Sequence, residues 1–393
     1  MKKIACVVLL LLLIGTLAFA SDNQSAAWVR TLCREAVTDS IDATYFNPAG
    51  TAFLEKGLHV QAMNLSVLQT YSHFSIITSN TYEADTPVWF FPTARIGYNG
   101  GSWAAFFDFN IPAGGGSLNY DEGAVYVDGA GASGGSFQGS SAVMAFNLGG
   151  AYRFGDKLSI GASGRFLYST ETLDGKLDDG PNVSTTGEVA AEASGIGFGG
   201  MFSVDFIPFA GFTLAVTVET IAKIEMEYTS VTGDPVTKTF LEFSPLAIAQ
   251  GNTFNADLPW RIRTGFAYEM PFGLTASATF KFDFYEAMDS TLRNTYSVAG
   301  SLAYDITDRI EASLGGSYGF DEIPDVEDYN PLNPELSSYT LAGGVGVEVI
   351  EGLVIDLGSL YVFYQPESAS GVSGFTDMDK NVLLFAIGTT YSF

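Results

Sequence analysis

Six charged residues alternate with apolar residues along predicted strands, and their types suggest a site for an anion. Arg261 and Arg263 lie two positions apart, so a strand would place both on one face. A guanidinium can bind a carboxylate through two parallel hydrogen bonds, which makes these two residues candidates for holding a ligand carboxylate. The same alternation applies to Arg165, Glu269, Lys281 and Asp283. The alternative, which is the more common case, is a polar interior whose charges are satisfied by water and by one another.

Two segments match catalytic motifs but lack the surroundings that catalysis requires. Residues 195–200 match GxGxxG, yet no strand–helix–strand unit surrounds them, as a dinucleotide site would need. Residues 315–319 match GxSxG, yet they lie within a predicted strand rather than at a strand-to-helix turn. The two histidines, His59 and His73, lie in or beside the first predicted strand, far in sequence from Ser317. We therefore predict that the protein is not an enzyme.

The sequence contains no residue set with the spacing of a metal or cofactor site. Two histidines and Cys33 do not make a zinc ligand set. Acidic residues cluster at 178–179 and 321–328, but such runs are usually solvated loops rather than calcium sites. We expect no cofactor and no bound metal.

The first twenty residues have the organisation of a secretory signal peptide. Two lysines precede an apolar run over residues 4–17, and residues 18–20 (AFA) form a small-x-small cleavage site. We expect the mature chain to begin near Ser21. Cys33 is then its only cysteine, so no internal disulfide can form.

Composition narrows the class of protein. A net charge of −26 argues against nucleic-acid binding, which needs basic residues to neutralise phosphates. The chain is 47% hydrophobic, yet beyond the leader no apolar run approaches the ~18 residues of a membrane-spanning helix. A large soluble core would explain this composition, and so would a membrane β-barrel, which faces apolar residues outward at every second position.

Segments of the mature chain alternate between apolar and polar residues with the period of two that β-strands show. The segment 157–168 has an apolar face made of Leu158, Ile160, Ala162, Gly164, Phe166 and Tyr168. Its opposite face is polar and includes Ser159 and Arg165. The segments 258–270, with Leu258 on the apolar face, 272–284 and 309–320 repeat the pattern.

The connections between these segments also alternate. Short turns are predicted near 99–101, 154–156, 208–211, 271–273, 305–308 and 351–352. The other connections are predicted at 78–87, 113–138, 171–184, 230–256, 285–290, 321–336 and 366–378. Six short and seven other connections imply fourteen strands, and an even count with short turns on one side is typical of bacterial outer-membrane barrels.

The last predicted strand ends on an aromatic residue, Phe393, which resembles the terminal signal of outer-membrane proteins. We predict an all-β fold: a 14-stranded antiparallel transmembrane β-barrel in the bacterial outer membrane. We expect Phe393 to be recognised by the barrel assembly machinery.

The stretch YFNPAGTAFL, residues 45–54, differs from the strands around it. Pro48 fixes its own φ angle and cannot donate to a β-ladder, so this stretch reads as a rigid turn between apolar flanks. Together with Asp42 and the following Gly57, it resembles the amino-terminal plug of the FadL/TodX family, in which Asn-Pro-Ala is the signature. That family comprises outer-membrane transporters for long-chain fatty acids and aromatic hydrocarbons.

Later segments resemble the same family in the same order. Residues 110–114 (NIPAG) are similar to its Pro-Phe-Gly element, although Ala113 replaces the aromatic residue. Residues 258–268 are similar to its Leu-Pro…Gly-x-x-Tyr strand, and residues 318–334 to its late loop. The family's ligand-contacting loop residues have no matching positions here, so the resemblance does not identify the substrate.

The resemblance implies a domain organisation and a mechanism. Residues 1–20 would be the signal peptide, residues 21–56 a plug (hatch) inside the lumen, and residues 57–393 the transmembrane barrel. A ligand would pass from the outer loops to an apolar pocket. The plug would then shift, and the ligand would leave laterally through the barrel wall into the membrane without an energy source.

The resemblance also assigns residues. Asn47, Pro48, Ala49 and Gly50 would form the plug motif. Four apolar residues, Tyr45, Phe46, Phe53 and Leu54, would either line the ligand pocket or pack the plug against the wall, and the sequence leaves both open. Asn110 and Pro112, at the end of the predicted third strand, are candidates for a kink and a lateral gap.

The predicted function is passive uptake of long-chain fatty acids or other hydrophobic compounds. The expected partners are the hydrophobic small molecule, outer-membrane lipid and the assembly machinery, with no nucleic acid, and we predict a monomer. One alternative is a structural or adhesive surface barrel with acidic loops and no transport. Another is a hydrophilic porin, although a resident plug would block sugars.

Overall fold

The computed structural model describes residues 22–393 except 76–78, 122–134, 178–186, 236–237, 239–241, 243–247, 289–291, 322–335 and 367–374. The predicted leader, the acidic pair 178–179 and most of the acidic run 321–328 lie outside the described residues.

The described strands form one antiparallel sheet of fourteen barrel strands, three of which consist of two segments. They are β1 (Gly57–Ser75), β2 (Asn80–Asp85 and Val88–Asn99), β3 (Trp103–Tyr120), β4 (Gly135–Phe154), β5 (Leu158–Leu177), β6 (Gly187–Phe209), β7 (Phe212–Glu219 and Lys223–Gly233), β8 (Thr253–Asn255 and Trp260–Met270), β9 (Leu274–Phe284), β10 (Thr295–Thr307), β11 (Ile310–Phe320), β12 (Ser338–Ile350), β13 (Leu353–Tyr364) and β14 (Phe375–Ser392). The interruptions of β2 and β8 contain Pro87 and Pro259, which cannot donate to a ladder.

The sheet closes on itself. β1 pairs with β14 from His59↔Ser392 to Ser75↔Phe375, and on its other side β1 pairs with both segments of β2. The all-β fold and the fourteen antiparallel strands are therefore confirmed.

The strands turn their apolar faces outward, as the alternation predicted. On β5, Leu158 and Ile160 are exposed, whereas Ser159 and Arg165 are buried towards the lumen. Leu258 is an exception: the prediction placed it on the outward face, but it is buried among apolar side chains beside the bridge that it makes with Ala222.

Five of the seven longer predicted connections are wrong in part, because they overlap strands. Residues 171–177 belong to β5, residues 230–233 to β7 and residues 375–378 to β14. The predicted connection 78–87 contains the strand segment Asn80–Asp85, which pairs with β1. The third strand does not end near Pro112 but runs to Tyr120, because register shifts between Asn110 and Ala113 and between Gly114 and Gly116 accommodate the proline and let the pairing with β4 resume.

Residues 22–56, called here the N-terminal segment, lie inside the barrel. Helix α1 (Ala26–Thr31) packs against β12–β14, and a 3-10 helix (Pro48–Phe53) packs against β4–β6. Between them is the short helix α2 (Ala43–Phe46). Contacts with strands around the circumference hold the segment within the lumen. No helix among the described residues is long and apolar enough to span a membrane.

Local chemistry shapes the N-terminal segment. The Ser25 side chain caps α1 by accepting from Trp28 N at 2.9 Å, and its hydroxyl donates to Asp42 at 2.8 Å. Burial alone would raise the pKa of Asp42, but Arg34, at 2.9 Å, holds it below its usual value. This ion pair fastens the two halves of the segment to each other.

Candidate functional site

A cavity of about 390 Å³ lies between the N-terminal segment and the half of the barrel that carries the longer connections. Its apolar wall includes Trp28, Leu32, Leu65, Phe91, Val382 and Leu384. Most of these belong to one apolar cluster that joins α1 to β1, β2, β13 and β14. The cavity therefore offers a hydrocarbon surface inside the barrel.

The other side of the cavity is polar. Lys380, at the rim, has its ammonium 4.8 Å from the ring centroids of both Tyr71 and Tyr364. Lys281 also lines the cavity and donates to the carboxylate of Asp22 at 2.6 Å. An amphipathic molecule could contact apolar and cationic groups at the same time.

Arg261 and Arg263 face the lumen, as predicted, but the protein's own carboxylates already pair with them. Arg263 lies 3.1 Å from Asp22 and 2.6 Å from Glu219. Arg261 lies 3.4 Å from Asp22 and makes an ion pair with Asp283. The N-terminal segment thus supplies, through Asp22, a carboxylate at the position where a ligand carboxylate was one of the two predicted possibilities.

The other charges predicted to face the lumen divide into two groups. Arg165 pairs with Glu219, and Lys281 lies near Asp283, so both belong to the same buried network. Glu269, near a short turn, is exposed instead. The polar-interior interpretation therefore describes most of these residues.

The Asn47-Pro48-Ala49 motif is held by polar side chains of the barrel wall. Asn47 donates through Nδ2 to Asp205 at 3.0 Å. Ala49 N donates to Ser203 at 2.6 Å, and its carbonyl accepts from Ser159 at 3.0 Å. These contacts fix the backbone of the motif against β5 and β6.

The four predicted apolar pocket residues do not line this cavity. Tyr45 and Phe46 are fully buried and pack edge to face with a centroid distance of 4.9 Å. The guanidinium of Arg263 lies 4.7 Å from the Tyr45 ring. Phe53 contacts Arg153, and Leu54 is buried. In this conformation all four serve packing, which was one of the two interpretations that the sequence left open.

The wall of the barrel is incomplete beside the cavity. The β2–β3 ladder runs from Asn99↔Ala104 to Ala94↔Phe109, and no further β2–β3 pairs occur in the described range 79–121. Past the end of this ladder, residues 88–93 of β2 and 110–116 of β3 face each other without pairing to each other. We call this opening the β2–β3 gap. Phe91 and residues 114–116 line both the gap and the cavity. Asn110 and Pro112, the predicted kink residues, lie at this gap.

Cys33 is the one cysteine among the described residues, and it is buried in the N-terminal segment. Burial raises the pKa of its thiol to about 12, so almost none is thiolate, the reactive form, at neutral pH. We expect folded protein to react with Ellman's reagent at least about 100-fold more slowly than protein in urea. Equal rates would mean that Cys33 is accessible.

No protein-family model and no curated protein matches the chain, but solved structures do. A FadL homologue of Pseudomonas aeruginosa superposes with a TM-score of 0.77 at 14% identity, covering 96% of this chain and 100% of that one. The toluene transporter TodX of Pseudomonas putida gives 0.68 at 13% identity, covering 95% and 99%. The toluene transporter TbuX of Ralstonia pickettii gives 0.65 at 13%, with the same coverage. The chain has the FadL/TodX fold. The resemblance predicted from its motifs is confirmed at the level of the fold.

Within this FadL/TodX fold, two residues of the site were missed by the sequence analysis. Asp22 and Gln24 stand in a short stretch with no periodicity or motif. Asp22 is recognisable only from its contacts with β8 and β9, and Gln24 only from its contacts with β2 and β3. The one available signal was their position directly before α1.

Proposed function

We propose that the protein is an outer-membrane facilitator for passive uptake of hydrophobic compounds, with residues 21–56 as its plug and residues 57–393 as its transmembrane barrel. The observation that carries the proposal is the cavity, whose apolar wall borders both the N-terminal segment and the β2–β3 gap. The outward apolar surface fits lipid contact. The similarly folded TodX and TbuX are toluene transporters.

The finer proposal concerns the ligand and its route. A hydrocarbon chain exposed to water costs about 0.8 kcal/mol per methylene, so a route from the cavity through the β2–β3 gap into lipid avoids a large penalty. Movement of the plug, including its Asn47-Pro48-Ala49-Gly50 motif, would free this route. A long-chain fatty acid suits the cavity because its carboxylate could pair with Arg261, Arg263 or Lys281 once Asp22 has moved away.

Other parts of the proposal follow from the predicted leader and the last strand. The chain would be exported by its signal peptide, cleaved near Ala20, and inserted as a monomer through assembly machinery that recognises Phe393. Phe393 is exposed at the end of the barrel, and its N–H is bonded to Leu58 O, so its ring is available for such recognition.

Filling the cavity tests the proposal. Ala299 lines the cavity, and Ala299→Trp should reduce the transfer of oleate or toluene into protein-containing vesicles severalfold. Leu341→Trp is the matched control, because Leu341 is exposed on the outer surface, and it should transport normally. Transfer by the unmodified protein no faster than that of empty vesicles would contradict uptake and favour a surface barrel without transport.

A further inference from the structure

The β2–β3 gap leaves backbone groups of two strands without strand partners on the facing side. Past the last β2–β3 pair, Ala94↔Phe109, residues 88–93 of β2 still pair with β1, and residues 110–120 of β3 still pair with β4. Pro92 and Pro112 lie within the gap and have no N–H to donate across it. A barrel wall in lipid has to satisfy such groups internally, because hydrocarbon provides no hydrogen-bond partners.

Gln24 of the N-terminal segment supplies the missing partner. Its side-chain amide nitrogen, Nε2, donates to Ile111 O at 2.7 Å, and its amide oxygen, Oε1, accepts from Ile111 N at 3.2 Å. A primary amide has the donor and the acceptor of a peptide unit. Gln24 therefore pairs with Ile111 as a residue of a neighbouring strand would, and its side chain is fully buried.

The backbone of the same residue is bonded to the opposite strand. Gln24 O accepts from Arg95 Nη2 at 2.7 Å and from Thr93 Oγ1 at 3.2 Å, both on β2. One residue of the N-terminal segment thus connects β2 to β3 at the level where their own ladder ends. Gln24 also lies close to the cavity, because Asp22, two residues earlier in the chain, is bonded to Lys281 in the cavity wall.

We propose that Gln24 is the latch of the β2–β3 gap: its amide closes the wall while the N-terminal segment is seated, and its withdrawal opens the wall to lipid. The role of the opening as a ligand exit rests on the proposed function. The closure itself rests only on the four hydrogen bonds and the interrupted ladder.

Thiol labelling tests the latch without relying on transport. Ala113 lies in β3 beside the gap and is fully buried, so Ala113→Cys in a Cys33→Ala background reports accessibility to N-ethylmaleimide. Adding Gln24→Ala should raise the labelling rate about tenfold in vesicles, since the two side-chain hydrogen bonds to Ile111 that hold the closed state are lost. Gln61→Ala is the matched control: Gln61 is also a buried glutamine bonded to Arg95, at 2.6 Å, but on β1. It should leave the rate unchanged.

A second variant separates hydrogen bonding from volume. Gln24→Met fills similar space without an amide, and it should label as fast as Gln24→Ala. Labelling of Gln24→Met at the parent rate would overturn the latch, as would equal acceleration by Gln24→Ala and Gln61→Ala. If the parent moves no oleate or toluene, uptake fails as a function, whereas faster labelling of both Gln24 variants alone would still establish the latch.

Discussion

Replacing Arg95 by methionine should lower the free energy of unfolding by about 3 to 5 kcal/mol, the usual consequence of removing one partner of a buried ion pair. Arg95 on β2 and Asp108 on β3 lie 3.0 Å apart, and both side chains are fully buried. Among the described residues, Arg95 is the one cation within ion-pair distance of Asp108. The substitution would therefore leave a buried carboxylate without its counter-charge.

Urea unfolding of the protein refolded in lipid vesicles, followed by tryptophan fluorescence, measures this change. Arg309→Met is the control, because Arg309 is exposed near a short turn and should change stability by at most about 0.5 kcal/mol. Adding Asp108→Asn to Arg95→Met should recover much of the loss, since the stranded charge is then absent. A loss below about 1 kcal/mol in Arg95→Met would show that water or relaxation compensates the carboxylate.

The barrel could be predicted from the sequence because an apolar outer face and a polar lumen impose a period of two on its strands. Leu158 and Ser159 show this directly, since adjacent residues have opposite surroundings. Strand ends were less predictable. Ala113 follows a proline and precedes three glycines, which locally reads as a loop, whereas pairing with β4 extends the strand to Tyr120.

The site was only partly predictable, because its contacts join residues that are distant in sequence. Alternation placed Arg261 and Arg263 in the lumen, but nothing local indicates that Asp22 reaches them. Gln24 and Ile111 are far apart along the chain and meet only after the barrel closes around the N-terminal segment. The motif Asn47-Pro48-Ala49 could be recognised, whereas its partners Ser203 and Asp205 are ordinary polar residues of an alternating strand.

The N-terminal segment explains why some residues of the barrel wall are glycines. The segment 315–319 matched a hydrolase motif only by composition, and in the structure Gly315 lies against the carbonyl of Thr31. Gly265 similarly lies against the backbone of Glu35 and Ala36. At these positions the backbone of the N-terminal segment occupies the space that a Cβ would need, so the absence of a side chain is what lets the segment seat.

Gly161 on β5 gives this explanation its strongest test. A Cβ at Gly161 would overlap the backbone of Pro48 and Ala49, so Gly161→Val should force the Asn47-Pro48-Ala49 motif away from β5 and β6 and break the hydrogen bonds to Ser159 and Ser203. We expect the variant to assemble, because valine favours strands and the N-terminal segment, not the sheet, occupies the space. Vesicles containing it should show ion conductance at least about tenfold above the parent, since the lost contacts together amount to more than about 1.4 kcal/mol.

Gly164→Val is the matched control for this variant. Gly164 lies on the same strand, is exposed on the outer face and has no atom within 4 Å of its would-be Cβ, so its conductance should equal that of the parent. Heat-dependent migration on denaturing gels would verify that both variants are folded barrels. If folded Gly161→Val conducts no better than Gly164→Val, the motif does not obstruct the lumen. The two substitutions add the same side chain to the same strand and differ only in the face they occupy. Elevated conductance in Gly161→Val alone would therefore identify the contact between β5 and the motif as the one that keeps the lumen closed.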